Sequence, residues 1–110
     1  MRLFKPADNV IFADVRIEKD FNSLKEDDWI KKAIFRAIAD FKENAFCGER
    51  IKKEKIPKVY IQKYGIDNLL WYPLPDGWRL VYSVFSDDNV LIAMIVEYFD
   101  HKNYERRFGY

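Results

Sequence analysis

One histidine, two tyrosines and a run of arginines lie within the last ten residues of this chain, and a further arginine sits upstream in an apolar stretch. His101 is the only histidine of the sequence, and in "FDHKNYERRFGY" it is close to Tyr104, Arg106, Arg107 and Tyr110. Histidine is the side chain best suited to carrying protons near neutral pH. Tyrosine rings can stack on bases, and arginines bind phosphate with a flat, forked donor set. Cleavage of RNA by a 2′-hydroxyl attacking its neighbouring phosphate needs proton transfer and neutralisation of charge building on the phosphate oxygens. This set supplies both. A lone histidine at the end of a strand is also common as plain polar surface, so the two readings stand side by side.

Arg79 is the odd charge of the second half. In "GWRLVYSV" strand alternation puts it on one face with Val81 and Ser83, and puts Trp78, Leu80, Tyr82 and Val84 on the other. It is either a side chain snorkelling to solvent or a fixed guanidinium aimed at an anion.

Other charges are segregated along the chain. Between residues 49 and 63, Arg50, Lys52, Lys53, Lys55, Lys58 and Lys63 face Glu49 and Glu54, a net of +4. Residues 64–100 carry Arg79 against six carboxylates, a net of −5, and residues 101–110 return to +2. Basic strand flanks beside aromatics that read as exposed (Tyr60, Tyr64, Tyr104 and Tyr110) suit stacked bases on a phosphate-tracking surface. Solvated surface is the ordinary alternative for such charge runs.

Other chemistries find little support. Glu26, Asp27 and Asp28 are better explained as helix-start residues than as a metal site. Cys47, the single cysteine, forms no intrachain disulfide and has no catalytic partner in its segment. There is no GxGxxG or Walker motif, and Ser23, Ser83 and Ser86 lack a nucleophile-elbow context.

The elements that must position these residues follow from periodicity. Trp29, Ile30, Ala33, Ile34, Ala37, Ile38 and Phe41 recur with helical spacing, which predicts an amphipathic helix capped by Asp27 or Asp28 and closed by Gly48 in the left-handed conformation. Upstream, "NVIFADVRIEKDF" reads as a strand, or as a strand passing into a short helix over Glu18 to Leu24. Beyond Pro57 the reading is four strands in an antiparallel meander, at 58–64, 69–74, 78–85 and 90–99, with turns at "GIDN", "PDG" and "SDDN". The last is apolar almost throughout, which places it inside the sheet. Helical segments first and strands after give a single two-layer α+β domain over residues 1–110.

Length and composition agree. The chain has 110 residues, 49% hydrophobic and 34% charged, with a formal net charge of +1. That suits one globular core and excludes disorder. The longest apolar run, Val90 to Val96, is far below the roughly 20 residues of a membrane-spanning helix. The start "MRLFKPADNV" meets Pro6 and Asp8 before an apolar stretch builds up, so no secretory signal and no membrane association are expected, and a cytoplasmic location is.

With these residues in hand the chain resembles the RelE/ParE superfamily of type II toxins, most closely the short archaeal RelE-like proteins, from about Val10 to Tyr110. The likeness rests on "FCGERIKKEKIPK", "YIQKYGIDNLLWYPLP", "GWRLVYSV" and "DHKNYERRFGY" in that order. It implies an N-terminal strand and helices packed on an antiparallel sheet. RelE-type members are ribosome-dependent endoribonucleases that cut mRNA without a metal or other cofactor, and ParE-type members poison DNA gyrase. Members of both types are neutralised by a small antitoxin.

The resemblance implies that Arg79 contacts the scissile phosphate, and that His101 and Tyr104 serve proton transfer or base stacking. Lys58, Lys63, Arg106 and Arg107 would hold backbone phosphates and Tyr110 would stack. The antitoxin contact is expected on segments 49–63 and 101–110. Ribonuclease toxins are usually strongly basic, and the +1 here weakens RNA docking. The alternative is therefore a RelE-fold binding module without catalysis, or a ParE-like topoisomerase inhibitor.

Overall fold

A computed structural model describes residues 4–109. The elements in chain order are β1 (Asn9–Phe12), α1 (Val15–Ser23), α2 (Trp29–Glu43), β2 (Glu49–Arg50), α3 (Lys58–Tyr64), β3 (Leu70–Pro73), β4 (Arg79–Asp87), β5 (Val90–Phe99) and α4 (His101–Phe108). The five strands form one sheet in the order β1-β5-β4-β3-β2, with β1 parallel to β5 and the remaining pairs antiparallel. The chain is thus the α+β domain expected from its periodicities. As the apolar run of β5 implied, that strand lies inside the sheet, between β1 and β4.

The amphipathic stripe of α2 supplies one half of the core. Ile30, Ile34, Ala37 and Phe41 pack on Leu80, Tyr82, Ala93 and Ile95 of the sheet, and Phe41 stacks on Tyr82 at 4.1 Å between ring centres. Asp28 begins the helix by accepting a hydrogen bond from the Ile30 N–H at 2.9 Å, and Glu26 pairs with the buried Lys31. Capping thus accounts for Asp28, and an ion pair with Lys31 for Glu26.

The opposite face of the sheet carries a second apolar cluster. There Val81, Met94, Val96 and Phe99 meet Tyr60 from α3 and Tyr104 from α4. The register of β4 and β5 shifts within this face: Val81 pairs with Glu97 while Tyr82 pairs with Ile95, leaving Val96 as the extra residue of a bulge. The bulge reverses the alternation of β5, so Glu97 reaches α3 and α4 instead of the α2 side.

Three expectations are corrected. Residues Lys58–Tyr64 are a helix and not a strand, so the meander has three strands, β3 to β5. Pro57 precedes that helix and Gly65 ends it at φ 64°, a bracket of starter and stopper that overrides the β-branched residues within. Tyr60 and Tyr64, four residues apart, share its inner side. Gly48 does not close α2, whose last turn ends on Asn44. Glycine is needed at 48 for close approach, since a Cβ there would lie 2.7 Å from the Trp71 carbonyl oxygen and 2.7 Å from the Tyr82 hydroxyl. Tyr60 and Tyr104 are not exposed aromatics: each is 3% exposed, because both rings fill the second cluster.

Candidate active site

Arg79 opens β4, pairs in register with Phe99 at the end of β5, and turns its guanidinium toward α4. The guanidinium carbon lies 4.0 Å from the centre of the Trp71 ring and 4.5 Å from that of Tyr104. A cation over two ring faces gains attraction from both. Among the described residues no carboxylate forms an ion pair with it. Arg79 is half-buried, with its guanidinium held against two rings of the fold.

Helix α4 supplies one wall of this arrangement, and its own sequence explains why it is a helix. Asp100 accepts a hydrogen bond from the Asn103 N–H at 2.9 Å, and Gly109 ends the last turn at φ 76°. Tyr104 and Phe108, four residues apart, face the sheet, stack on each other at 4.4 Å, and meet Phe99. Tyr104 therefore caps Arg79 from within the core and offers no ring face for a base.

His101 stands at the start of α4 with its side chain 63% exposed, and its Nε2 lies 2.7 Å from Glu105 Oε1, one turn on. Its Cβ lies 3.8 Å from where a Cβ on Gly77 would sit, two residues before Arg79 in the turn from β3 to β4. Arg79, His101 and Tyr104 thus occupy one end of the sheet. Arg79 and Tyr104 are in contact, while His101 lies exposed against the Gly77 turn.

The residues expected to bind phosphate divide into two kinds. Lys58 and Arg106 are exposed, and no ion pair involves either among the described residues. Lys63 instead pairs with Asp14 at 3.3 Å, beside a 3.1 Å hydrogen bond from the Tyr64 hydroxyl to the same carboxylate. Arg107 grips Glu97 through Nε at 3.1 Å and Nη2 at 3.3 Å. These bonds raise the guanidinium's pKa above its ordinary value. Tyr110 lies outside the described residues.

Two participants were not singled out in sequence. Trp71 was legible only as an apolar strand residue, since its contact with Arg79 depends on β3 pairing with β4 and on Trp71 standing opposite Val81. Glu97 looked like one more acidic residue of the sheet. It also accepts a hydrogen bond from the Tyr60 hydroxyl, whose ionisation is pushed far up by burial and then by the carboxylate, so the hydroxyl stays a donor.

Among the described residues no helix is long and apolar enough to cross a membrane. Comparison of the chain with protein-family models, with curated proteins and with solved structures returns no match.

Proposed function

We propose that this chain is a RelE-like toxin: a cytoplasmic, metal-independent endoribonuclease that cuts mRNA at the ribosome and is neutralised by a cognate antitoxin. The observation that carries the reading is Arg79, held against Trp71 and Tyr104 with no carboxylate paired to it among the described residues, at the end of the sheet where the exposed His101 begins α4. In the proposed reaction the 2′-hydroxyl oxygen of a bound nucleotide forms a bond to phosphorus and the bond to the 5′-oxygen of the next nucleotide breaks. A 2′,3′-cyclic phosphate and a free 5′-hydroxyl result. The proton leaves the attacking hydroxyl and one is delivered to the departing oxygen, and His101 is the exposed carrier for one of these transfers. Arg79 holds the phosphate oxygens as their charge grows, and its stacked seat leaves it little reorganisation to undergo. Lys58 and Arg106 hold flanking phosphates, while Tyr104 fixes the arginine and contacts no base.

The neutralising partner is expected to be acidic, covering the basic segments 49–63 and 101–110. Arg50, Lys52, Lys53 and Lys55 are all exposed there.

Primer extension on mRNA from cells expressing the chain tests the activity. Discrete, translation-dependent breaks are expected, and Arg79→Ala lowers their rate by about two to three decades, the scale for loss of one preorganised charge-stabilising donor. Growth arrest without breaks would leave the fold as a binding module or topoisomerase inhibitor. Undiminished cleavage by Arg79→Ala would remove the assignment of that residue.

A further inference from the structure

Glu97 joins three elements at a single carboxylate. From α4, Arg107 donates through Nε at 3.1 Å to Oε1 and through Nη2 at 3.3 Å to Oε2, a two-pronged pairing that fixes the guanidinium's orientation as well as its distance. From α3, the buried Tyr60 hydroxyl donates to Oε1, and its ring lies 5.8 Å below the Arg107 guanidinium carbon. The Glu97 side chain is 22% exposed and that of Arg107 is 41% exposed. The pair lies at the surface, so its definition comes from the two-pronged geometry and from the Tyr60 hydroxyl on the same carboxylate, not from burial. The β5 bulge alone brings the carboxylate to this face, because regular alternation would send it toward α2.

The consequence reaches Arg79 along α4. Arg107 lies three residues beyond Tyr104 and directly before Phe108, the residue that stacks on Tyr104. Fixing Arg107 fixes the rotation of the helix about its axis, and that rotation sets where the Tyr104 ring lies over the guanidinium at 4.5 Å. We infer that Glu97 is a positioning residue: by holding Arg107 and Tyr60 it seats α4 so that Tyr104 caps Arg79. Arg107 on this account is an internal clamp and not a phosphate contact, and the nearby Arg106 keeps the phosphate role. The functional weight of the clamp rests on the ribonuclease reading, whereas its effect on the seat of Arg79 does not.

The test reads the seat directly. Protons of the Arg79 side chain between two ring faces should resonate upfield of ordinary arginine positions in NMR spectra of the intact chain. Glu97→Ala and Arg107→Ala should each move them back toward ordinary positions with the β-sheet amide pattern retained, and Glu97→Gln, which keeps the shape and a hydrogen-bonding oxygen, should preserve most of the shift. In cleavage assays the two alanine variants should lose about ten- to a hundredfold in kcat, the scale for a group misplaced by about an ångström, with KM little changed. If Glu97→Ala does not fold, Arg107→Ala, on the solvent side of the pair, decides alone. Unmoved Arg79 protons in Arg107→Ala overturn the inference, whatever the cleavage result. A wild-type chain that leaves RNA intact defeats the ribonuclease reading and leaves the NMR comparison to judge the clamp.

Discussion

A guanidinium stacked between Trp71 and Tyr104 differs from a surface lysine in having its direction settled before any ligand arrives. Replacing it by lysine keeps the charge and removes the flat face and the fork. On the ribonuclease proposal, Arg79→Lys is therefore expected to cleave RNA at a rate between wild type and Arg79→Ala, measured as single-turnover rates on one substrate. Tyr82 illustrates the same dependence on partners in the core. Its hydroxyl accepts from the Gly48 N–H at 2.9 Å and donates to the Ala45 carbonyl at 2.9 Å, and burial pushes its ionisation up so that the donor is kept. Tyr82→Phe leaves that N–H and that carbonyl buried and unpaired. It should cost about 1–3 kcal/mol, read as a lower midpoint in urea with an unchanged slope.

At the scale of elements, the two short helices on the back of the sheet depend on their ends. Helices of 7 and 8 residues have few internal hydrogen bonds to offset nucleation, so stops and caps matter more than propensity. Gly65 stands at φ 64° with open space around its Cβ position, so Gly65→Ala meets no clash and pays only the left-handed penalty, about 1–2 kcal/mol. Asp100→Ala removes the cap of α4 at a cost of about 0.5–2 kcal/mol. It should also raise hydrogen exchange across α4 before the sheet opens. Equal exchange in wild type and variant would show that packing of Tyr104 and Phe108 alone holds the helix.

Across the whole molecule, Asp14 links the two halves of the chain. It caps α1 by accepting from the Arg16 N–H at 2.7 Å, and it meets Tyr64 and Lys63 of α3. The Arg16 N–H bond, more than Tyr64 or Lys63, holds its carboxyl below the ordinary 3.8. A depressed carboxylate stabilises the fold above its unfolded pKa, and that contribution is lost as pH falls through the lower folded value. Asp14→Asn should therefore be less stable than wild type at neutral pH, with the gap in melting temperature closing as pH falls below 3.8. The charge layout makes a prediction at the same scale. On the ribonuclease proposal, binding of single-stranded RNA should weaken with salt, and Arg106→Ala should reduce the log–log slope by about 0.7, the value of one phosphate contact.

Residue types and their periods sufficed for the α+β class, the amphipathic α2, the interior place of β5, and the suspicion that Arg79 was no ordinary strand residue. These are local properties: spacing decides which side chains share a face, and an apolar run decides that both faces are covered. Helix α3 was misread because valine, isoleucine and tyrosine favour strands, while its end signals at Pro57 and Gly65 pointed the other way. Tertiary structure alone decided that Trp71 and Tyr104 enclose the guanidinium, that Tyr104 is core, and that Arg107 spends its charge on Glu97. The physical reason is one of range: those contacts depend on strand register and on a bulge at Val96, which arise from packing between distant segments and leave no periodic mark on the chain.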